Sequence, residues 1–190
     1  MSIKQISIII GLVVLAVILI LVFVGYWPVA TVNGKPIFFY QFSRNYDIAR
    51  HFYQNDLKIE NKDLKILDSS GSQNEIKRAT LDSMVDDSLI DQELAKRISS
   101  NDLNQILDNK LSNINLDDQS LKQGTEILYG LSNYEFKDYV LIPQAKEEIL
   151  DGRLAMGGSN INDWLNNARK NAQVSIFIPG FYWDQGVKTK

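Results

Sequence analysis

The sequence predicts a mainly α-helical domain behind an N-terminal transmembrane helix, with a small β-sheet formed by an N-terminal hairpin and a C-terminal strand. Three observations carry this reading. Ile6 to Val24 is a run of nineteen residues with no charge, in which only Ser7 and Gly11 are not strongly apolar. Asn33-Gly34 lies between two short apolar runs, the composition of a hairpin turn whose residues take positive φ. Most of the remaining chain repeats apolar residues at helical spacing, until a single alternating stretch from Val174 to Ile178.

As a helix the apolar run is about 28 Å long, close to a hydrocarbon core of roughly 30 Å. It lacks the polar face that a helix of a small soluble core would show. Tyr26 and Trp27 follow it, where amphipathic rings favour the headgroup layer. A cleaved signal peptide is the competing reading. Its apolar core usually spans about 7–15 residues before small residues at the cut, whereas this exit contains Pro28. The expectation is an uncleaved single-pass anchor over residues 6–27 of a plasma (inner) membrane. Lys4 and the α-amino group favour a cytoplasmic residue 1–5 segment, which leaves the bulk of the chain extracytoplasmic.

Beyond the anchor, 19 basic residues stand against 23 acidic ones, a net charge of −4. No basic stripe appears, so nucleic acid is not an expected partner. The chain has no cysteine, which excludes disulfides and thiol chemistry. No P-loop, GxSxG, HExxH or dinucleotide fingerprint occurs, so no cofactor and no catalytic residue is assigned. His51 is the only histidine. Its neighbours Arg50 and Gln54 suggest a helix surface and a solvated or capping role, rather than the base of a triad. Asp82, Asp86, Asp87 and Asp91 cluster on one predicted helix. Hard cations take such carboxylates, but no EF-hand loop is present, and a solvated acidic face is the simpler reading.

Val29–Val32 and Pro36–Phe38 form the predicted hairpin. Phe39, Phe42, Tyr46, Ala49 and Phe52 then recur on one face of a first helix, about Phe39 to Gln54. Residues 55–74 are polar and end in Ser69-Ser70-Gly71-Ser72, which reads as a flexible insert. A second helix, about Asn74 to Arg97, carries Ile76, Leu81, Met84, Val85, Leu89, Ile90 and Leu94, an apolar surface too wide for one stripe. Ser99 to Asp102 resembles a capping box and opens a third helix through Leu111. A shorter helix spans about Asp117 to Tyr129, with acidic charge at its N-terminus and Gly130 as its left-handed stop. Ser132-Asn133-Tyr134-Glu135 is a second capping box, opening a helix that carries Phe136, Tyr139, Val140, Ile149 and Leu150. Pro143 should kink or split that helix. Gly157-Gly158-Ser159 breaks the chain before a last helix, Asn162 to Ala172. The strand at Val174–Ile178 needs a partner, and the hairpin is the available one. The two ends of a domain over 29–183 are therefore expected to meet in a small sheet near the membrane, with residues 184–190 as a tail.

Val29-Ala30-Thr31-Val32-Asn33-Gly34-Lys35-Pro36-Ile37 before an aromatic helix resembles the opening of the SurA-like chaperone domain, usually "VAxVNGxxI". Leu81 to Leu107, Tyr129 to Leu150 and Trp164 to Trp183 resemble that family's later helical segments and its closing helix and strand, in the right order. Relatives include periplasmic and membrane-anchored foldases related to SurA, PpiD and PrsA. The resemblance implies a module that cradles unfolded polypeptide. In many relatives a parvulin domain precedes the closing helix. Here nine residues, 155 to 163, separate Leu154 from Trp164. No parvulin domain fits there, and prolyl isomerase activity is not carried over.

Aromatic residues crowd the first helix and follow the last strand. Buried packing is the ordinary fate of such residues; a partly exposed groove for extended peptide is the functional alternative. The residues expected to line it are Phe39, Phe42, Tyr46, Met84, Tyr134, Phe136, Tyr139, Tyr182 and Trp183. The leading expectation is a membrane-tethered, ATP-independent chaperone-like protein that binds unfolded or secreted polypeptides. The alternative is a dedicated assembly or scaffold partner of another membrane protein, or a groove that holds the mate of a homodimer. A diverged peptidyl-prolyl isomerase ranks third.

Overall fold

The structure, a computed structural model, describes residues 12–16, 22 and 24–190. The expected transmembrane helix therefore lies largely outside the described residues. Leu12 to Ala16 are helical and exposed, and among the described residues no helix is long and apolar enough to cross a membrane.

Strands β1 (Pro28–Val32) and β2 (Lys35–Phe38) form the antiparallel hairpin. Asn33 and Gly34 turn it with φ of 50° and 79°, the left-handed pair that matches strand twist. Strand β3 (Val174–Ile176) pairs antiparallel with the other edge of β1, giving the order β2-β1-β3. The two ends of the domain do meet in one sheet. Asn33 fastens the junction: its backbone N–H donates to the Gln173 carbonyl at 2.8 Å, and its side-chain oxygen accepts from the Gln173 N–H at 2.9 Å.

The helices are α1 (Phe39–Ile59), α2 (Ser70–Arg97), α3 (Ser100–Leu111), α4 (Gln119–Tyr129), α5 (Asn133–Phe136), α6 (Ile142–Met156) and α7 (Ile161–Asn171). The fold is mainly helical with small sheets, as expected. The wide apolar surface of α2 is shared between two cores. Leu81, Val85 and Leu89 pack on Val29, Ala30, Val32, Ile37 and Phe42. From the next residue onward, Ile90 and Leu94 pack with Ile98 against Leu150 and Leu154 of α6. Trp164 of α7 touches both.

Three expectations are corrected. Residues 55–74 are not a loose insert: α1 continues to Ile59, and a 3-10 turn (Leu64–Asp68) buries Leu67. The helix α2 then begins at Ser70, because Ser69 caps it by accepting from the Ser72 N–H at 3.2 Å. Residues 184–190 are not a tail. Strands β4 (Phe181–Trp183) and β5 (Val187–Thr189) form a second hairpin whose Phe181 and Val187 are buried in the first core. Pro143, expected to kink or split its helix, sits in the first turn of α6, where the regular helix of α5 has given way to a π turn. A π-helical turn (Lys137–Leu141) joins α5 to α6, and the Ile142 N–H donates to the Lys137 carbonyl five residues back. The widened turn carries the helical path past a residue that has no N–H to give.

The acidic cluster on α2 is not the solvated face expected, which is the third correction. Arg169 of α7 donates to both Asp86 carboxylate oxygens through Nε and Nη2, and its Nη2 reaches Asp82 at 3.3 Å. Asp82 also accepts the Val187 N–H at 2.9 Å, and Asp91 pairs with Lys146 of α6 at 2.8 Å. These carboxylates clamp α6, α7 and the C-terminal hairpin onto α2.

Candidate functional site

A groove runs along the seam between α1 and α2. Its larger part, about 650 Å³, lies between β2, the start of α1, the middle of α2 and the π turn. Apolar lining comes from Ile37, Met84, Tyr139 and Pro143, and amide lining from Gln41, Asn45 and Gln92. A smaller part of about 270 Å³ adjoins it at Asn45 and Met84 and continues toward Phe52, Tyr53 and Tyr129.

The walls are held by local chemistry. Gln41 accepts the Phe38 N–H at 3.1 Å, which satisfies a free donor at the start of α1. Asn45 donates to the Gln41 carbonyl at 2.9 Å. Gln92 donates to the Val32 carbonyl at 3.1 Å and accepts from Asn33, so the hairpin turn is tied to α2. Across the groove, Arg44 of α1 pairs with Glu135 of α5 and lies 5.9 Å from the Tyr139 ring centre. Glu135 is also the third residue of the expected capping box, taking the Ser132 N–H at 3.1 Å. That backbone donor, with the Ser132 hydroxyl and Arg44, holds its carboxyl below the usual range.

His51 behaves as a cap. Its Nε2 lies 3.1 Å from the Ile127 carbonyl in the last turn of α4, and Asn55 donates to the same oxygen. Gly130 ends that helix at φ 66°, and a Cβ there would meet the His51 ring at 3.1 Å. Only glycine fits both the angle and the space.

The groove is acidic on one side. Asp87, Asp91 and Asp138 line it, with Lys35 as the lining cation. Asp87 is pushed up to about 7, first by burial and then by the neighbouring Asp91 and Asp86.

The structure brings together only part of the expected lining. Met84 and Tyr139 face the groove. Phe136 stands at its far rim, 5.3 Å from Tyr129, whose ring stacks 5.5 Å from Phe52. Phe42 is buried in the core beneath. Tyr46 lies 6.3 Å from Phe42 with Lys77 over its ring, outside both parts of the groove. Phe39 stacks on Trp27 at 4.6 Å, just ahead of β1. Tyr134 is 61% exposed on the outer side of α5. Tyr182 is exposed on β4 and Trp183 packs against the sheet core. The polar lining was missed. Met84, Asp87, Ser88, Asp91, Gln92 and Ala95 follow a helical stripe at i, i+3, i+4, i+7, i+8 and i+11, a pattern of small and polar groups that marks an open helix face.

A family model described as the SurA-like N-terminal domain matches residues 2–106, more than half of the chain. The chain belongs to the SurA-like N-terminal domain family. The match takes in the apolar run, the hairpin, α1 and α2, hence two of the three sheet strands and both long walls of the groove. No curated protein and no solved structure matches the chain.

Proposed function

We propose that this SurA-like protein is a membrane-tethered, ATP-independent extracytoplasmic chaperone-like protein that binds unfolded or secreted polypeptides. The observation that carries the reading is the open groove of about 650 Å³ between the two helices of the SurA-like segment and the π turn. Its lining mixes apolar side chains, an adaptable methionine and amide side chains. Such a surface accepts many extended segments through dispersion and backbone hydrogen bonds. The apolar run Ile6–Val24 supplies the tether, which keeps the groove where secreted chains emerge.

The chain is read as a binder rather than an enzyme. It passes from α6 to α7 through Gly157–Asn160, at the place where foldase relatives carry their parvulin insert.

The test is aggregation of an unfolded model protein in the presence of the full chain in nanodiscs, without nucleotide. Wild type should suppress aggregation. The double variant Met84→Ser/Tyr139→Ser, shown folded by circular dichroism, should lose most of that effect. Phe42 is unsuitable for substitution because it is core. Folded wild type without suppression would reject the general-chaperone reading, and cross-linking to one stoichiometric membrane protein would replace it with the dedicated-partner reading.

A further inference from the structure

Asp87 has a different status from the other carboxylates of α2. Asp82 and Asp86 are bound by Arg169, and Asp91 by Lys146. Among the described residues no ion pair or hydrogen bond reaches the Asp87 carboxylate. The groups around it are Asp86 and Asp91 on its own helix, Lys146 and Glu147 on α6, and Asp138 and Lys35 across the groove. Lys146 is already committed to Asp91. Met84 lies one turn before Asp87 on α2, and Tyr139, Ile37 and Pro143 complete an apolar seat beside it.

A half-buried carboxylate without a partner is costly when ionised. A guanidinium or ammonium brought by an occupant would remove that cost through a charge-assisted hydrogen bond. Asp87, Asp91 and Asp138, which line the groove, would repel an acidic segment. Resting on the groove reading above, we propose that the preferred occupant is an extended polypeptide segment carrying Lys or Arg beside apolar residues. Its cationic group sits on Asp87 and its apolar neighbours lie against Met84, Ile37 and Tyr139.

The experiment uses the full chain in nanodiscs of zwitterionic lipid, with empty nanodiscs as the blank. Three fluorescent peptides share one apolar framework and carry two Lys, two Gln or two Glu. Binding is read by anisotropy at pH 8 and pH 5.5 at fixed ionic strength. The Lys peptide should bind roughly tenfold more tightly than the Gln peptide at pH 8, and the Glu peptide weakest. The Lys preference should shrink at pH 5.5, where Asp87 holds its proton. The variant Asp87→Asn, folded by circular dichroism, should lose most of the preference for the Lys peptide over the Gln peptide. Equal binding of Lys and Gln peptides to wild type would overturn the charge preference alone. A preference that survives in Asp87→Asn would remove Asp87 from it. Failure of all three peptides to bind would reject the groove reading itself.

Discussion

At Asp87 a carboxylate sits half-buried on α2 between Asp86 and Asp91, and its ionisation works against the fold. The folded chain holds this proton up to about pH 7, whereas the unfolded chain releases it near the ordinary aspartate value of 3.8. The sign follows from linkage: between about pH 4 and 7 the folded state binds more protons, so stability from this group falls as pH rises. The upper bound is about 4 kcal/mol for a shift of roughly three units. Asp87→Asn should therefore leave stability near pH 4 unchanged and raise it at pH 8, flattening the profile. Urea denaturation of both proteins at the two pH values checks this. An unchanged pH 8 midpoint would show that Asp87 ionises without cost.

Arg169 and the α2 carboxylates set the arrangement of the elements. One guanidinium holds Asp86 and Asp82, and Asp82 in turn holds the β5 backbone at Val187. The side chains involved are only about one-quarter to one-fifth exposed, at 26% for Arg169 and 19–20% for its partners. Removing the cation leaves two poorly hydrated carboxylates facing each other. Arg169→Ala should cost about 2–4 kcal/mol, measured by urea denaturation. Arg169→Lys should recover only part of it, because an ammonium cannot reproduce the forked contact to Asp86. The helix ends were legible in sequence because capping is local. Ser99, Ser132 and Gly130 each cap as expected, and Asp118, expected only as acidic charge at a helix start, accepts the Leu121 N–H as a cap. At Ser99 the reciprocal arm differs: Asp102 meets the Ser99 hydroxyl, not its backbone N–H.

Across the whole molecule, the C-terminal hairpin closes the core that the N-terminal hairpin opens. Phe181 and Val187 are 6% and 1% exposed and pack with Val29, Leu81 and Val85. Deletion of residues 181–190 should lower stability by about 3–6 kcal/mol, from two large apolar side chains at roughly 1.5–3 kcal/mol each. A urea midpoint shared with wild type would return this segment to the status of a tail. Strand β5 escaped the sequence because Val187-Lys188-Thr189 is too short to alternate visibly. Its partner is supplied by β4 across a turn with Gln185 at φ 54°, not by a glycine-led signal.

The sequence by itself determined the helical class, the Asn-Gly hairpin, the caps at Ser99, Ser132 and Gly130, and the pairing of the last strand with the first hairpin. Those features depend on periodicity, turn chemistry and the need of a strand for a partner, all readable along a few neighbouring residues. The family is legible for the same reason, since its motifs are short runs in a fixed order. Tertiary structure alone decided which aromatic side chains are core and which face the groove. Phe42 and Tyr139 have the same apolar character and the same helical spacing, yet one lies under the sheet and the other lines an opening. It also decided that three of the four α2 aspartates are clamped while Asp87 is left unpaired. Their partners come from residues 55 to 105 positions away in the chain, and no local pattern encodes such distances.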